Sequence, residues 1–217
     1  AQRVNAEQVA RQKSTLLDVS STEVTLTQIY EQIPAEFRGM MQLEVDFELQ
    51  VLQPNKQIVE LLQLLAKRGK KFIIVTDTYL SLQQVTKLID KFRQYVQIDF
   101  DDIFVSSEYQ SSKQQNLFKI AQEKHKNIIH IGDSEERDFL AAIGKEIAAI
   151  HYKSRMHQLL SVDKFKKLAK GLNCYETHFG ISVILGVQQL LRLDDEFWTN
   201  LGKHVGGPVV YSFTQYV

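Results

Sequence analysis

Four polar side chains, each suited to a part of phosphate chemistry, follow apolar runs in this sequence. They are Thr76, Lys113, Asp133 and Asp138. A hydroxyl can donate a hydrogen bond to a phosphate oxygen, an ammonium group can neutralise its charge, and two carboxylates offer the oxygen ligands that Mg²⁺ prefers. The apolar runs predict buried parallel strands, whose carboxyl ends share the sheet edge where α/β proteins bind ligands. We therefore expect the four side chains to meet around a phosphoryl group and Mg²⁺.

Each of these residues also has an ordinary structural interpretation. Thr76 can be a turn residue at a strand end, and Lys113 can be a solvated lysine at the start of a helix. Asp133 can cap a helix that begins near Glu135, a common use of aspartate. Their order along the chain favours a single shared site, because Thr76 follows the first predicted strand, Lys113 the second, and both aspartates the third.

Helices and strands are predicted to alternate from residue 56 onward. Apolar residues at helical spacing predict the helices, and Gly69 has the position of a residue that ends the first one. Short apolar runs predict buried strands at 71–75, 102–107, 128–131 and 146–150. Alternation at this spacing predicts right-handed βαβ units and therefore an α/β fold with a doubly wound parallel sheet.

The segment before residue 56 is predicted to be helical. Thr25 and Gln28 have the spacing of a capping box, in which each side chain bonds the backbone of the other residue. The helix that they open is predicted to stop at Pro34, and another helix is predicted over 40–49. Residues 154–217 are predicted to be a helical extension that leads to a further domain. The chain is therefore expected to be an internal part of a longer protein.

Composition excludes several classes of function. The 217 residues include 26 basic and 26 acidic ones, so the chain has no net positive charge that would favour binding to a nucleic acid. The single cysteine, Cys174, rules out an internal disulfide and fits a reducing, cytoplasmic compartment. The longest apolar stretch, 181–191, is far too short and too interrupted for a membrane span. The composition is that of a globular protein without a nucleic-acid partner.

The ordered residues also resemble a known superfamily. The series 73–76, then Lys113, then 132–138 resembles motifs II, III and IV of the haloacid dehalogenase (HAD) superfamily. More narrowly, Val-Thr-Asp-Thr-Tyr-Leu-Ser at 75–81 and His-Ile-Gly-Asp-Ser at 130–134 are similar to a bacterial HAD-like subfamily. Members of that subfamily are encoded near, or fused to, glycosyltransferases of surface-polysaccharide synthesis. The resemblance spans nearly the whole chain and is most specific in motif IV.

The resemblance implies a role for each candidate residue. Thr76 would bond the transferred phosphoryl group, Lys113 would steady the nucleophile and phosphate, Asp133 would ligate Mg²⁺, and Asp138 would ligate or orient the ion. The candidate substrate-binding residues at the same edge are Asp77 and Ser107.

The resemblance also implies an organisation and partners. Residues 1–55 would be a helical cap and 56–153 a HAD-like core that lacks its first strand. The substrate would be a phosphorylated small molecule or sugar phosphate, and a fused or neighbouring glycosyltransferase would be a partner.

The expected nucleophile is the element that this sequence lacks. In the HAD superfamily it is the first aspartate of an Asp-x-Asp-x-Thr motif before the cap, and no such motif precedes the cap here. Asp18, four residues before Thr22, and the pair Asp99 and Asp101 are the nearest alternatives. We therefore expect no phosphatase turnover from residues 1–217 alone.

Two other functions stay open. One is a catalytically inactive HAD-like scaffold or interaction domain of a polysaccharide-assembly protein, which the missing nucleophile favours. The other is a response-regulator-like or nucleotide-binding Rossmann domain, but the sequence has no glycine-rich phosphate loop to support nucleotide binding.

Overall fold

A computed structural model describes residues 2–17, 22–153 and 161 of the chain. The chain divides into two compact units, Ala1–Tyr152 and Lys153–Val217, and the structure below is that of the first. The predicted helical extension, apart from residue 161, and the alternative nucleophile Asp18 lie outside the described residues.

The amino-terminal part is helical, as predicted. Its elements are α1 (Gln2–Leu17), α2 (Leu26–Tyr30), a 3₁₀ turn (Ala35–Phe37) and α3 (Met40–Val51). The predicted capping box is confirmed, since the Thr25 amide donates to Gln28 Oε1 over 2.8 Å and the Gln28 amide donates to Thr25 Oγ1 over 3.3 Å. Two backbone amides at the start of α2 that have no acceptor within the helix are thereby satisfied, which is why this short helix begins at Leu26.

Helices and strands alternate in the rest of this unit. In chain order they are α4 (Lys56–Ala66), β1 (Ile73–Thr76), α5 (Leu82–Val96), β2 (Asp102–Val105), α6 (Ser106–Tyr109), α7 (Leu117–Lys124), β3 (Ile129–Gly132), a wide π-type turn (Glu135–Leu140), α8 (Ala141–Ile143) and β4 (Ala148–His151). Gly69 has a φ of 71°, so the predicted glycine end of α4 is confirmed.

The strands form two small parallel sheets within an α/β arrangement. β1 pairs with β2, Ile73 lying opposite Asp102, and β3 pairs with β4, Ile129 lying opposite Ala148. Among the described residues no hydrogen bond joins one pair to the other, so these strands do not make the single continuous sheet that the sequence predicts. Parallel pairing with intervening helices agrees with the predicted fold class.

Helix α7 packs against both strand pairs. Its adjacent residues Leu117 and Phe118 are fully buried and belong to different clusters of apolar side chains. Leu117 packs in a cluster with Phe104 of β2, whereas Phe118 packs in a cluster with Ile147, which precedes β4. Val75 contacts both clusters, so α7 and β1 connect the two pairs.

Two strand predictions need correction. The strand predicted over 102–107 ends at Val105, because a helical turn begins at Ser106. The Ser106 hydroxyl donates a hydrogen bond to Glu23 instead of extending the strand. The strand predicted over 128–131 as fully buried has one open face, with Ile129 64% exposed. A continuous apolar run is expected for a strand covered on both faces, but the described residues cover only one face of β3.

Candidate functional site

A buried ion pair lies at the carboxyl end of β3. Lys113 and Asp138 are both buried, and the Lys113 ammonium donates to Asp138 Oδ1. His130 Nε2 lies 3.0 Å from the same oxygen, and the Ser134 amide donates to Asp138 Oδ2 over 2.9 Å. Burial by itself raises the pKa of a carboxyl group, but the hydrogen bonds from His130, Lys113 and Ser134 hold the pKa of Asp138 well below its usual range. Asp138 is therefore ionised, and its hydrogen bonds hold it in one position.

The local sequence explains how Asp138 reaches this position. Ser134 caps the π-type turn by accepting the Arg137 amide on its hydroxyl at 3.1 Å, and its carbonyl accepts the amides of both Asp138 and Phe139. This wide turn carries the Asp138 side chain back over Gly132. A Cβ atom at position 132 would lie 2.3 Å from Asp138 Cγ, so only glycine leaves room for the carboxylate. Glycine at position 132 is therefore needed for the packing of Asp138.

Asp77 joins the end of β1 to the same cluster. Its Oδ1 accepts the backbone amide of Lys113 at 2.9 Å, so Lys113 is bonded through its backbone to one strand end and through its side chain to the other. Burial raises the pKa of Asp77, and the nearby charge of Lys113 offsets only part of this effect. The structure thus brings Asp77, Lys113 and Asp138 together at the carboxyl ends of β1 and β3.

Thr76 and Asp133 flank this cluster without bonding to it. Thr76 is the half-buried last residue of β1 and lies opposite Val105 in the register. Asp133 is exposed just after β3, and its backbone carbonyl lies 3.1 Å from His151 Nε2. Within the described part of the chain, neither side chain is hydrogen-bonded to Lys113 or Asp138. The Thr76 hydroxyl and the Asp133 carboxylate therefore take no part in the hydrogen bonds that hold Lys113 and Asp138.

Ser107 has a structural role in this structure. It is buried, and its hydroxyl donates to the Leu80 carbonyl over 2.7 Å. Its neighbour Ser106 accepts the Thr78 amide at 3.0 Å and donates to the buried Glu23 at 2.5 Å. Together the two serines hold the loop that follows β1.

Sequence reasoning missed three residues of this region: Ser106, Glu23 and His130. His130 had a detectable signal. Alternate residues of a strand share a face, so His130 lies on the face of Gly132 and hence beside Asp138. Its ring also packs edge-on against Phe118, with centroids 4.8 Å apart, which fixes its orientation. No comparable spacing signal connects Glu23 with Ser106, which is 83 residues away.

The donor chemistry fits a magnesium ion only in part. No group of three or more His, Cys, Asp or Glu side chains within the described ranges is arranged to hold a metal. Magnesium in phosphate sites is usually held by one or two carboxylates, with water and phosphate oxygens completing the shell. Asp133 offers an exposed carboxylate of this kind. Asp138 already accepts three hydrogen bonds, so it is better suited to positioning than to ligation.

The second alternative nucleophile lies at the wrong end of the strands. The Asp101 amide donates to the Phe72 carbonyl over 2.8 Å, just before β1 begins, and its carboxylate lies 3.4 Å from Lys71. Asp99 is largely exposed in the same approach to β2. Both residues therefore lie at the amino ends of the strands, a strand length from Lys113, and neither can attack a phosphate at the carboxyl edge.

Comparison with models of protein families gives no match for this chain, and comparison with curated proteins gives none either. None of the helices in the described ranges is both long and apolar enough to cross a membrane. The class that the observed fold defines is an α/β protein with polar residues gathered at the carboxyl ends of parallel strands.

Proposed function

We propose that this chain is a HAD-type phosphohydrolase module that binds a phosphate monoester and Mg²⁺. The observation that carries the proposal is the double attachment of Lys113, to Asp77 after β1 and to Asp138 after β3. It brings an ammonium group and two carboxyl groups to one strand edge, next to Thr76 and Asp133. Such an arrangement suits phosphoryl transfer, which depends mainly on positioning and charge stabilisation.

Each side chain has a separate part in this proposal. The Thr76 hydroxyl donates to a phosphoryl oxygen, and the Asp133 carboxylate provides an oxygen ligand for Mg²⁺. Asp138 holds the Lys113 ammonium in place, since the buried pair keeps its geometry without a ligand. Asp77 is positioned to contact the substrate, and Ser107 supports the loop beside it. Bound Mg²⁺ would neutralise charge on the phosphoryl oxygens.

The reaction we propose for a complete protein passes through an aspartyl-phosphate. None of the described residues is assigned as its nucleophile, so the chain alone is expected to bind without turnover. The resemblance to the HAD-like subfamily supports a sugar phosphate as substrate, cytoplasmic bacterial surface-polysaccharide biosynthesis as the setting, and a glycosyltransferase as neighbour.

The experiment is a titration of the chain with Mg²⁺ and inorganic phosphate, followed by NMR of backbone amides. We expect shifts at Gly132, Asp133 and Ser134 that require both ions. Asp133→Asn is expected to weaken Mg²⁺ binding about tenfold or more, because it removes a charged ligand. Glu135→Gln, an exposed neighbour, is the matched control and should bind normally. Unchanged Mg²⁺ binding by Asp133→Asn would exclude the role given to Asp133.

A second candidate is a non-catalytic interaction domain, which one observation favours. Helix α3 carries an exposed apolar stripe at helical spacing, with Leu43 and Phe47 each 63% exposed and Met40 beside them. Exposed apolar patches of this kind often mark protein contacts. If this is the function, Phe47→Ser should abolish association with a partner, whereas Asp133→Asn should leave it intact.

A further inference from the structure

His130 contacts the candidate site but has no part in the phosphate chemistry proposed above. Its side chain is 12% exposed on the face of β3 that carries Gly132, and its Nε2 lies 3.0 Å from Asp138 Oδ1. Asp138 is ionised, and a carboxylate can only accept hydrogen bonds, so His130 Nε2 carries the proton and donates to Oδ1. His130 is therefore a second side-chain donor to the oxygen that Lys113 also contacts.

Two of the donors to Asp138 belong to rigid parts of the chain. His130 lies in β3 opposite Ala149 of β4, and its ring packs edge-on against the fully buried Phe118 with centroids 4.8 Å apart. The Ser134 amide, which donates to Oδ2 over 2.9 Å, is part of the backbone at the start of the capped π-type turn. Neither donor can turn away from Asp138 unless β3 or this turn changes shape.

Lys113 is the donor that can leave Asp138. Its ammonium group ends a flexible four-carbon stem, whereas its backbone amide is fixed by the hydrogen bond to Asp77 Oδ1 at 2.9 Å. Rotation about the side-chain bonds therefore moves the ammonium group while the backbone stays in place. If the ammonium group leaves, Asp138 Oδ1 keeps the hydrogen bond from His130, and Oδ2 keeps the one from Ser134.

The hydrogen bond from His130 makes this movement less costly. Without His130, the departure of Lys113 would leave Oδ1 of Asp138 with neither of its two side-chain donors. A buried acceptor that loses all its partners costs more free energy than one that keeps a partner, and the cost is larger for a charged group. His130 thus lowers the free energy needed to release the ammonium group.

We infer that His130 is a positioning residue, which holds the Asp138 carboxylate in place while the Lys113 ammonium group leaves it for a phosphoryl group. His130 acts through Asp138 and needs no contact with the ligand. The destination of the ammonium group rests on the proposed function, whereas its movement away from Asp138 does not. A histidine that served only to pack β3 would have the opposite effect, since its loss would loosen the ion pair and expose Lys113.

The first test measures how fast acetic anhydride acetylates Lys113 in the chain 1–217, by mass spectrometry of its peptides. Only an amine that has left Asp138 reacts, so the rate reports the movement. His130→Phe keeps an aromatic ring against Phe118 but removes the donor, and it should slow the acetylation of Lys113 about tenfold. His130→Gln returns an amide donor and should restore much of the wild-type rate. Lys119, an exposed residue of α7, is the internal reference and should react at an unchanged rate.

The direction of the change decides the result. A faster or unchanged rate at Lys113 in a folded His130→Phe protein would overturn the inference, and so would a His130→Gln protein as slow as His130→Phe. His130→Leu, which lacks both the ring and the donor, takes the place of His130→Phe if urea denaturation shows that this variant does not fold. It should slow the reaction to the same extent.

A titration with Mg²⁺ and inorganic phosphate separates this inference from the proposed function. His130→Phe should bind phosphate about tenfold more weakly than the wild type, although every group assigned to phosphate and Mg²⁺ is still present. Equal affinities would overturn the inference. No phosphate binding by the wild type would refute the proposed function instead, and the acetylation rates would then decide the inference by themselves.

Discussion

Gly132 and Asp138 make a contact that leaves no room for a side chain at position 132. A Cβ atom there would lie 2.3 Å from Asp138 Cγ and 2.7 Å from its Oδ2. Since Asp138 is held from three sides, by Lys113, His130 and the Ser134 amide, it cannot move away without breaking hydrogen bonds. The packing of a strand residue thus determines where a charged group of the candidate site lies.

Replacing Gly132 with alanine should destabilise the protein and displace Asp138. We expect a loss of about 1–3 kcal/mol in the free energy of unfolding, the usual range for overpacking a well-packed site. Urea denaturation measures it. Gly39→Ala is the matched control, because a Cβ there meets nothing within 4 Å and its φ of −62° suits alanine. A Gly132→Ala protein as stable as Gly39→Ala would contradict the contact.

Replacing Lys113 with methionine should destabilise the protein strongly. The substitution keeps the aliphatic length but leaves the buried Asp138 carboxylate without its cation, a change that typically costs about 3–5 kcal/mol. A double-mutant cycle with Asp138→Asn should recover part of this loss, because the uncompensated charge is then removed. Lys119→Met, on the exposed side of α7, should change stability by less than about 0.5 kcal/mol. Additive losses in the cycle would show that the pair is uncoupled.

The depressed pKa of Asp138 predicts a contribution to acid stability. Its pKa is lower in the folded protein than in the unfolded chain, where it is about 3.9. The contribution is therefore fully present above the unfolded pKa and is lost as the pH falls towards the folded one. Urea midpoints measured from pH 7 downwards should fall less steeply below about pH 4 for Asp138→Asn than for the wild type. The exposed control Asp46→Asn should follow the wild-type slope; an unchanged slope for Asp138→Asn would exclude this linkage.

The raised pKa of Asp77 predicts a pH dependence of stability opposite to that of Asp138. Burial favours its protonated form, so the ionised carboxylate opposes folding above the folded pKa, and this cost disappears as the pH falls below the unfolded pKa. Asp77→Asn retains an oxygen that can accept the Lys113 amide. It should therefore be at least as stable as the wild type at pH 7 and show no gain near pH 3. Urea midpoints at the two pH values test this, and a variant less stable only at pH 7 would contradict the assignment.

The sequence indicated the candidate site residues more readily than the residues that hold them in place. Thr76, Lys113, Asp133 and Asp138 were identified from residue type and from their order after apolar runs. Among them, the structure joins Lys113 and Asp138 directly. His130 was missed because its signal, a position two residues before Gly132 on the same strand face, points to Asp138 only once Asp138 is known to pack against that glycine. Glu23 was missed because its partner Ser106 is remote along the chain.

Local sequence alone determined the features that short-range contacts control. The capping box of Thr25 and Gln28, the end of α4 at Gly69 and the alternation of helix and strand depend on residues within a few positions of one another. Only the tertiary structure decided that Lys113 bonds both to Asp77 and to Asp138, and that Ile129 has an exposed face. It also decided that four parallel strands form two pairs. Hydrophobic burial and strand pairing join segments that are distant along the chain. A periodic apolar pattern shows which face of an element is buried, but it does not determine which other segment covers that face.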